Sequence, residues 1–407
     1  MNHVIVGASA AGMNAVMALR ALDKDANITL ISTDEQVYSR CILHHYIEGK
    51  RDVPALSFIE KDYIEQNNIR WLKGASVACV DTTAKTLALS TGETVAYDKL
   101  LLATGANTHY PPIANLSTAG NVLGLRNLDD AKALKAKAQT ASHIVVLGAG
   151  LVGIDAVAGL LHTGKPVTLV EMQANLIPLR LDETAAKAYQ DAFTAKGVKQ
   201  YYHVSATEAV LDGAGNIAKL ILSNGVELPC DLLVVTTGIR ANVGFLEGSG
   251  IETDRLGLVF NAQGETNVAD VYGAGDVSGR GLIWPAAVKE GIVAAHNMHG
   301  TPKDLTDFFD SKSTMNFLGI ASLSVGEPNA PDDTYTVEIK QDSTGYKKII
   351  HKDGVITGAI IQGDLSYAGV LTQLVKAKIN IAQVKKPIFD IDYSDFFNQT
   401  DDLQFDY

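Results

Sequence analysis

Cysteines and long apolar runs are both scarce in this sequence. The 407 residues include three cysteines, Cys41, Cys79 and Cys230, which lie far apart and form neither a CxxC pair nor a metal-ligand spacing. No apolar run reaches the roughly 18 residues that a membrane-spanning helix needs. These absences argue against a disulfide framework, a metal site and a membrane span. We expect a reduced cytoplasmic protein without a signal peptide, because the chain begins directly with a strand pattern.

Positive charge is also in deficit. Lys and Arg total 34 against 46 Asp and Glu, which gives a formal net charge of -12. Nucleic acid and anionic membranes would repel such a chain, so neither is expected as a main partner. Hydrophobic residues make up 46% of the chain and charged residues 20%. This composition is that of a globular protein with a large core and two or three domains.

The strongest motif lies in the middle of the chain, between Val145 and Glu171. An apolar strand leads into a glycine turn, a helical run and a second apolar strand that ends in an acid. Gly148 permits the tight turn, Gly150 lets the backbone approach a pyrophosphate, and Gly153 lets the helix pack against the sheet. The pattern predicts a dinucleotide site at the N-terminus of this helix.

The acid at the end of this unit predicts the choice of nicotinamide cofactor. Glu171 is placed to hold a ribose 2′-hydroxyl, so NADH is preferred over NADPH. The next basic residue is Arg180, so nothing nearby offers a 2′-phosphate a partner.

A near-copy of the motif opens the chain, between Val4 and Ser32. Its glycine turn contains Gly7, Ser9 and Gly12, with serine in place of the middle glycine. Because the serine side chain takes space, the backbone approaches a phosphate slightly less closely.

The first copy lacks the terminal acid. Ser32 stands where the other copy has Glu171, and its hydroxyl can bond a ribose without charge-assisted strength. We expect Asp34 or Glu35 to supply the carboxylate instead. Two such units imply two nucleotide sites, and the usual pairing is a flavin with a nicotinamide.

Matching strands after the two copies indicate a duplication. Lys99–Ala103 leads to Thr104-Gly105, and Asp231–Val235 leads to Thr237-Gly238. The predicted fold is α/β, with two Rossmann-like dinucleotide-binding domains and a C-terminal α+β cap domain. The predicted boundaries are 1–110 and 241–305 for the first domain, 111–240 for the second and 306–407 for the cap.

Several further elements follow from local patterns. We predict a small antiparallel piece from Thr86–Leu89 and Thr94–Tyr97, and a helix from Pro285 to His299. In the cap we predict strands at Tyr335–Ile339, Lys347–His351 and Val355–Ile361, and a helix at Ser366–Lys378. Cys79 and Cys230 lie in strand-like contexts and are interpreted as core residues.

Five motifs occur in a fixed order along the chain: Gly7-x-Ser9-x-x-Gly12, Ala103-Thr104-Gly105, Gly148-x-Gly150-x-x-Gly153, Thr237-Gly238 and Ala274-Gly275-Asp276. Over nearly the whole chain this set resembles the pyridine nucleotide-disulfide oxidoreductases, a flavoprotein family. The resemblance implies a glutathione-reductase-like fold that binds FAD in the first domain and NADH in the second. The CxxC disulfide of some members is absent, so dithiol chemistry of that type is not expected.

Within the family, the chain is most similar to the branch of NADH:rubredoxin oxidoreductase and the flavoprotein part of nitrite reductase. The segments that carry this likeness are Tyr38-Ser39-Arg40, Ile283–Ala287, Asn316–Gly319 and Ile360–Asp364.

The resemblance also implies roles for individual residues around FAD. Asp276 matches the aspartate that bonds the ribityl chain, although a turn aspartate is the plain alternative. Trp284 either covers the flavin or fills the core, and Arg126 either lies near FAD or is solvated. The remaining residues implied at the cofactors are Arg40, Thr104, Gly105, Gly238 and Gly275.

Asp155 is a candidate catalytic residue with two interpretations. The family usually has glutamate here, facing the nicotinamide carboxamide and the flavin, and the shorter aspartate reaches less far. The alternative is a carboxylate on the first helical turn that the helix dipole stabilises.

Cys41 is the second candidate catalytic residue. The coenzyme A-disulfide reductases and NADH oxidases carry a redox cysteine at this position, where the rubredoxin-reductase branch usually has proline. A helix N-terminus and Arg40 would lower the thiol pKa, whereas the alternative is a buried apolar cysteine. His44 and His45 follow in the same run and can relay protons, but neither is assigned a role here.

The leading functional hypothesis is an NADH-dependent FAD oxidoreductase that passes electrons to a redox protein such as rubredoxin or to a partner subunit. One alternative is an NADH oxidase or a CoA-disulfide or peroxide reductase that uses Cys41. Another is a flavoprotein subunit or redox sensor within a larger complex, with the C-terminal domain forming a dimer or hetero-complex. The tail from Asp390 to Tyr407, rich in Asp, Phe and Tyr, either packs on such a partner or is solvated.

Overall fold

The computed structural model describes residues 1–306, 311–343 and 345–396, and the backbone of residues 398–399, 401 and 405–406. The predicted tail therefore lies partly outside the described residues. The chain divides into two compact units, Met1–Val170 with Val204–Asp310 and Glu171–His203 with Ser311–Tyr407. This grouping separates residues 171–203 from the rest of the predicted second domain, and the domain boundaries themselves stay predictions.

The first unit contains two parallel sheets, and the first of them is built on a central strand that is almost entirely buried. Continuous apolar strands of this kind are typical of parallel sheets covered on both faces. Its strands are β1 (Asn2–Val6), β2 (Asn27–Ser32), β3 (Arg70–Lys73), β7 (Lys99–Leu102) and β18 (Val271–Gly273). The order is β18-β7-β1-β2-β3, and every neighbouring pair is parallel.

The second parallel sheet repeats this plan around the stronger glycine motif. Its strands in the first unit are β9 (Val122–Leu123), β10 (Ile144–Leu147), β11 (Val167–Val170) and β16 (Leu232–Val235). They lie in the order β11-β10-β16-β9, again all parallel. In both sheets the central strand leads directly into a glycine turn, as the duplication predicts.

The described residues of the first unit also form three small antiparallel sheets. They are β4 (Val77–Asp81) with β5 (Thr86–Leu89) and β6 (Thr94–Ala96), β13 (Ala206–Leu211) with β14 (Ile217–Leu222) and β15 (Glu227–Pro229), and β8 (Ala106–Thr108) with β17 (Ile239–Ala241). Cys230 is buried, as predicted. Cys79, on β4, is exposed, so its interpretation as a core residue was wrong. A strand pattern alone does not tell which face of a sheet is covered.

In the part of the first unit that the structure describes, the α-helices are α1 (Ala10–Leu22), α2 (Leu43–Glu48), α3 (Tyr63–Gln66), α4 (Leu128–Thr140), α5 (Leu151–Leu160) and α7 (Trp284–His299). The apolar side of α1, including Met13 and Leu19, packs with Ala294 and Met298 of α7 in one core cluster. A capping box between Asn127 and Asp130 fixes the start of α4. In the described part of the chain, no helix has the length and hydropathy to cross a membrane.

The second unit is built on an antiparallel sheet. Its elements are α6 (Glu183–Ala195), β12 (Lys199–Tyr201), β19 (Lys312–Phe317), β20 (Ile320–Gly326), β21 (Thr336–Asp342), β22 (Gly345–Lys352), β23 (Val355–Gly363), α8 (Ala368–Lys376), β24 (Asn398–Gln399) and β25 (Phe405–Asp406). The order β19-β20-β23-β22-β21 includes two strands that were not predicted, β19 and β20. The three predicted cap strands and the helix are present, with ends shifted by a few residues. Strand β19 alternates exposed and buried residues, a period-2 signal that its polar composition obscured.

A buried ionic cluster joins α6 to this sheet. Asp182 caps α6 by accepting a hydrogen bond from the Ala185 amide at 3.0 Å. Its other oxygen accepts from Tyr346 Oη at 2.5 Å and from Lys348 Nζ at 3.0 Å. Because Asp182 and Lys348 are both buried, this pair fixes the geometry of the second unit at a high desolvation cost.

Candidate functional site

A cavity of about 480 Å³ opens at the carboxyl ends of the first parallel sheet. This edge is where open parallel sheets bind their ligands, and the volume is in the range of a small-molecule site. Most residues predicted for the flavin site line it: Gly7, Ser9, Ser32, Asp34, Arg40, Cys41, Thr104, Gly105, Arg126, Gly275, Asp276 and Trp284.

The turn after β1 is shaped to bring a backbone close to a phosphate. A Cβ atom on Gly12 would lie 1.8 Å from the carbonyl oxygen of Gly7, so only glycine lets α1 start directly behind the turn. Ser9 is the N-cap residue of α1, but within the described structure its side chain makes no capping hydrogen bond. The first-turn amides of α1 are therefore available to an anion. The residues present fit the pyrophosphate of FAD.

Asp34 lies two residues after Ser32, where the first glycine-motif unit ends, and it is the centre of a hydrogen-bond network. Its carboxylate accepts hydrogen bonds from Tyr38 Oη and from Arg40 Nη2, each at 2.7 Å. The Ser32 hydroxyl donates to the Asp34 carbonyl at 2.6 Å and accepts from Trp71 at 2.9 Å. Each carboxylate oxygen of Asp34 can still accept a second hydrogen bond, with charge-assisted strength, so Asp34 is a better candidate for a ribose than the Ser32 hydroxyl.

Arg126 and Asp276 form an ion pair at the cavity wall. Arg126 Nε also donates to the Ala106 carbonyl at 3.0 Å, and its side chain is 18% exposed. The reading of Arg126 as a solvated arginine is therefore not supported. The Gly275 amide donates to Glu290 Oε2 at 2.5 Å, which ties the Gly275-Asp276 turn to α7.

Two further contacts fix the walls of the cavity. The Thr104 hydroxyl donates to the Asn242 carbonyl at 2.9 Å, and Asn242 Nδ2 returns a bond to the Thr104 carbonyl at 3.0 Å. Trp284 lines the cavity and also packs edge-on against Phe58, with ring centroids 4.9 Å apart. Trp284 was interpreted either as a cover for the flavin or as a core residue. One part of its side chain faces the cavity and another packs against Phe58, so each interpretation describes part of its surroundings.

The second glycine turn has the same close packing. A Cβ on Gly153 would lie 2.0 Å from the Gly148 carbonyl oxygen, whereas a Cβ on Gly150 would meet no atom within 4 Å. Thr236 Oγ1 donates to the Gly148 carbonyl at 3.0 Å and supports the turn. The open space at Gly150 is what a close approach of a pyrophosphate needs, so these residues fit NADH.

Two residues predicted for the nicotinamide side lie outside this turn. Glu171 opens the second unit, is buried, and accepts a hydrogen bond from the Gln173 amide at 2.8 Å. Gly238 has a positive φ of 127° and its carbonyl accepts from the His109 amide. Gly238 is not among the residues that line the cavity.

Cys41 lies in a 3-10 turn, Arg40–Ile42, at the cavity wall. Its side chain is exposed toward the cavity, yet surrounding protein atoms remove enough solvent to raise the pKa of the thiol. The Asp155 carboxylate raises this pKa further. The predicted lowering was wrong, because the Arg40 guanidinium bonds Asp34, Tyr38 and the Arg126 carbonyl instead of the thiol.

Asp155 lies beyond the first turn of α5, which contains no acid. The interpretation as a dipole-stabilised carboxylate at the helix start was therefore wrong. Burial raises the pKa of Asp155 to about 8, so the carboxyl group carries a proton at neutral pH. Its Oδ1 lies 3.3 Å from Nδ1 of His44 on α2.

Four residues at the site were not predicted: Tyr38, Thr236, Asn242 and Glu290. Glu290 left a signal in the sequence, since it is an acid in the interior of a largely apolar helix. Thr236 lies beside the Thr237-Gly238 motif that was recognised. Asn242 left no signal, because its partner Thr104 is distant in sequence.

Comparison with known protein families gives two matches. A family described as pyridine nucleotide-disulphide oxidoreductase matches residues 1–291, and one described as rubredoxin NAD+ reductase C-terminal domain matches residues 312–379.

Three curated relatives show how far the similarity extends. The NADH-dependent phenylglyoxylate dehydrogenase subunit epsilon of Aromatoleum evansii is 31% identical, over 94% of this chain and 93% of that protein. The NADH-rubredoxin oxidoreductase of Clostridium acetobutylicum is 26% identical, over 92% and 93%. The assimilatory nitrate reductase electron transfer subunit of Bacillus subtilis (strain 168) is 26% identical over 95% of this chain, which spans only 51% of that subunit.

Among solved structures, a NAD-dependent persulfide reductase from A. fulgidus has a similar fold. The TM-score is 0.85 at 23% identity, over 93% of this chain and 77% of that one. At this identity the likeness concerns the fold alone.

Proposed function

Because the chain belongs to the pyridine nucleotide-disulphide oxidoreductase family, we propose that it passes electrons from NADH to a protein acceptor. Members of this family bind FAD and NADH, and the chain is an NADH-dependent flavoprotein oxidoreductase. The proposed acceptor is a small redox protein such as rubredoxin, or a redox partner subunit.

Bound FAD would supply the chemistry that joins the two-electron donor NADH to a one-electron acceptor. The side chains of this protein hold the two cofactors in place. Backbone amides at the starts of α1 and α5 bind the pyrophosphates, and Asp34 and Glu171 bind riboses. Asp276, held by Arg126, orients the ribityl chain.

The environment of Cys41 carries the proposal for the acceptor. A redox cysteine reacts as its thiolate, and here burial and Asp155 raise the thiol pKa. The other two cysteines do not line the cavity, so no second thiol is at hand to complete a dithiol. A thiol that stays protonated supports electron transfer from the flavin directly to a protein acceptor, without a redox step at Cys41. The likeness of residues 312–379 to the rubredoxin NAD+ reductase C-terminal domain supports a rubredoxin-type acceptor.

The acceptor can be tested with the purified chain. We expect NADH oxidation with an artificial dye and with rubredoxin, but no more than background rates with CoA disulfide or hydrogen peroxide. Activity with the dye alone would favour a subunit role instead, which the relative described as a dehydrogenase subunit also suggests. Turnover with a disulfide or peroxide as fast as with rubredoxin would contradict the proposal.

Cys41→Ser should keep the rates with the dye and with rubredoxin within a few-fold of the wild type. The exchange of sulfur for oxygen changes little volume, and the proposal assigns no redox step to the thiol. Cys79→Ser, an exposed cysteine on β4, is the matched control. A long-wavelength absorbance band that appears with NADH and is lost only in Cys41→Ser would show a reactive thiolate and overturn this expectation.

We expect kcat/KM for NADH to exceed that for NADPH by at least roughly tenfold, or about 1.4 kcal/mol. Glu171 accepts a hydrogen bond from the 2′-hydroxyl and repels a 2′-phosphate. Glu171→Ala should reduce the ratio, whereas Glu183→Gln, an exposed acid at the start of α6, should not change it. Equal efficiencies of the wild type with both cofactors would show that Glu171 does not face the ribose.

A further inference from the structure

Strand β21 (Thr336–Asp342) forms one edge of the antiparallel sheet in the second unit. It pairs with β22 on one side, and no strand among the described residues pairs with its other side. All seven of its residues are exposed. An edge strand of this length presents a row of backbone N–H and C=O groups to the solvent, which is a template for another strand.

The tight turn between β22 and β23 shows which residues of β22 bond each neighbouring strand. Lys352 pairs with Val355 across Asp353 and Gly354, which both have positive φ. In such a two-residue hairpin the flanking residues exchange hydrogen bonds, so Lys352 bonds toward β23. The register shift beside Ile350 adds its extra residue to β23, so β22 keeps its alternation. Because alternate residues of a strand bond opposite sides, the odd-numbered residues of β22 bond β21.

This alternation directs the odd-numbered residues of β21 outward. The even-numbered residues of β21 lie opposite the odd-numbered residues of β22 and bond them, as Lys340 does with Lys347. Val337, Ile339 and Gln341 therefore direct their backbone N–H and C=O groups away from the sheet. A further strand has to form its hydrogen bonds at these positions.

We propose that β21 pairs with β21 of a second copy of this chain, antiparallel and around a two-fold axis at Ile339. Ile339 lies opposite Ile339 of the second copy, and Val337 lies opposite Gln341. Each of these pairs exchanges two backbone hydrogen bonds, and the two sheets become one continuous sheet. The inference is independent of the proposed electron acceptor, because it concerns the edge of the second unit alone.

The charges on β21 select this register. Around Ile339, Glu338 lies opposite Lys340 of the second copy, and Lys340 lies opposite its Glu338. These positions fall between the hydrogen-bonded pairs, where opposing Cα atoms are about 4.5 Å apart and side chains are closest. The same hydrogen-bond alternation also allows an axis at Glu338 or at Lys340. Those registers place glutamate opposite glutamate or lysine opposite lysine, and like charges directly opposite are destabilising.

The second copy also provides partners that these two side chains lack in one chain. Within the described residues, the ion pairs of the second unit do not include Glu338 or Lys340. Lys340 instead lies opposite Lys347 of β22, which has the same charge. A glutamate on the outer side of Lys340 offsets this repulsion. Charges on an edge strand usually prevent pairing, but this arrangement is repulsive in the adjacent registers and attractive in one.

An exposed apolar strip on β21 supports the same contact. Val337 and Ile339 are 40% and 58% exposed, although their β22 neighbours Ile350 and Lys348 on the same face are buried. The two-fold pairing brings the strips of both copies together, with the Ile339 side chains adjacent and each Val337 diagonal to the Ile339 of the other copy. Apolar surface is thereby removed from water.

The first test measures the mass of the holoenzyme by analytical ultracentrifugation over a series of protein concentrations. A contact through one strand is at the small end of protein interfaces, so we expect a reversible dimer with a Kd on the order of 10 µM. Glu338→Lys and Lys340→Glu should each raise this Kd at least about tenfold, because each places like charges opposite one another. Lys132→Glu, at an exposed position of α4, changes the net charge as Lys340→Glu does and should match the wild type.

Charge exchange separates the proposed register from a general effect of charge. The double variant Glu338→Lys with Lys340→Glu restores opposite charges across the axis and should dimerise like the wild type. A mixture of the two single variants, one of them carrying a fluorescent label, should form a heterodimer. The two lysines of one chain then lie opposite the two glutamates of the other.

Ile339→Pro tests the backbone contact. Proline removes the outward N–H of the central pair but no hydrogen bond to β22, and edge strands tolerate proline at such positions. The variant should be monomeric, with the thermal unfolding midpoint of the dilute wild type. A wild type that stays monomeric at all concentrations, or an unchanged Kd in both single charge variants, would overturn the proposal. A monomeric wild type whose rate with rubredoxin falls in Glu338→Lys would assign this edge to the acceptor and would also overturn it.

Discussion

Gly150→Ala should leave the protein folded and loaded with flavin but impair its use of NADH. A Cβ at this position meets no protein atom within 4 Å, so the variant has no steric reason to unfold. The methyl group would enter the space that a pyrophosphate needs near the helix start. Weakening hydrogen bonds to a charged group costs about 2 kcal/mol, so KM for NADH should rise roughly thirtyfold.

Two variants place this result in context. Gly153→Ala adds a Cβ 2.0 Å from the Gly148 carbonyl oxygen and 2.9 Å from Thr236 Oγ1, and should destabilise the fold by about 3 kcal/mol. Gly213 lies in the loop between β13 and β14 with open space around it, so Gly213→Ala should match the wild type in KM for NADH and in stability. A normal KM for NADH in Gly150→Ala would mean that no phosphate approaches this turn.

Lys348→Met should destabilise the second unit by about 3 kcal/mol, because it leaves the buried Asp182 carboxylate without its cation. The side chains of Lys348 and Asp182 are 9% and 10% exposed, so solvent compensates little. Hydrogen exchange of the β22 amides measures this loss within the second unit. This loss of stability should be the same with and without NADH, because the Asp182–Lys348 pair is assigned no part in cofactor binding.

The matched control is Lys187→Met on α6. Lys187 pairs with Asp191 one turn away, but both side chains are about two-thirds exposed, at 67% and 65%. Exposed pairs of this kind contribute little to stability. The free energy of opening that hydrogen exchange reports should therefore change by less than about 0.5 kcal/mol. The double variant Lys348→Met with Asp182→Asn should recover part of the loss, since it removes the unpaired charge. Equal effects of the two lysine substitutions would show that the Asp182 pair is not desolvated.

The sequence was most informative where chemistry demands a particular residue at a particular spacing. The glycine turns after β1 and β10 leave no room for a Cβ at Gly12 or Gly153, and this steric requirement is visible in the sequence. The parallel fold follows from the same units. The fold class and the two cofactors were therefore predicted correctly.

Properties that depend on tertiary neighbours were beyond the sequence. The thiol pKa of Cys41 is set by burial and by Asp155, which lies on another element, so local reasoning from Arg40 gave the wrong direction. The hydroxyl of Ser32 is occupied by Trp71, 39 residues away. Exposure of Cys79 likewise depends on what covers the strand rather than on the strand pattern.

The order of strands in the first sheet also has a consequence for biosynthesis. Strand β18 (Val271–Gly273) pairs with β7 (Lys99–Leu102), so a ribosome must add roughly 170 residues after β7 before the sheet gains its last strand. Gly275 and Asp276 emerge only then. Contacts so distant in sequence form slowly, and the partly made sheet exposes an unpaired edge meanwhile. The nascent chain therefore cannot hold flavin in a complete site, and cofactor capture is a late event that completes the maturation of the first unit.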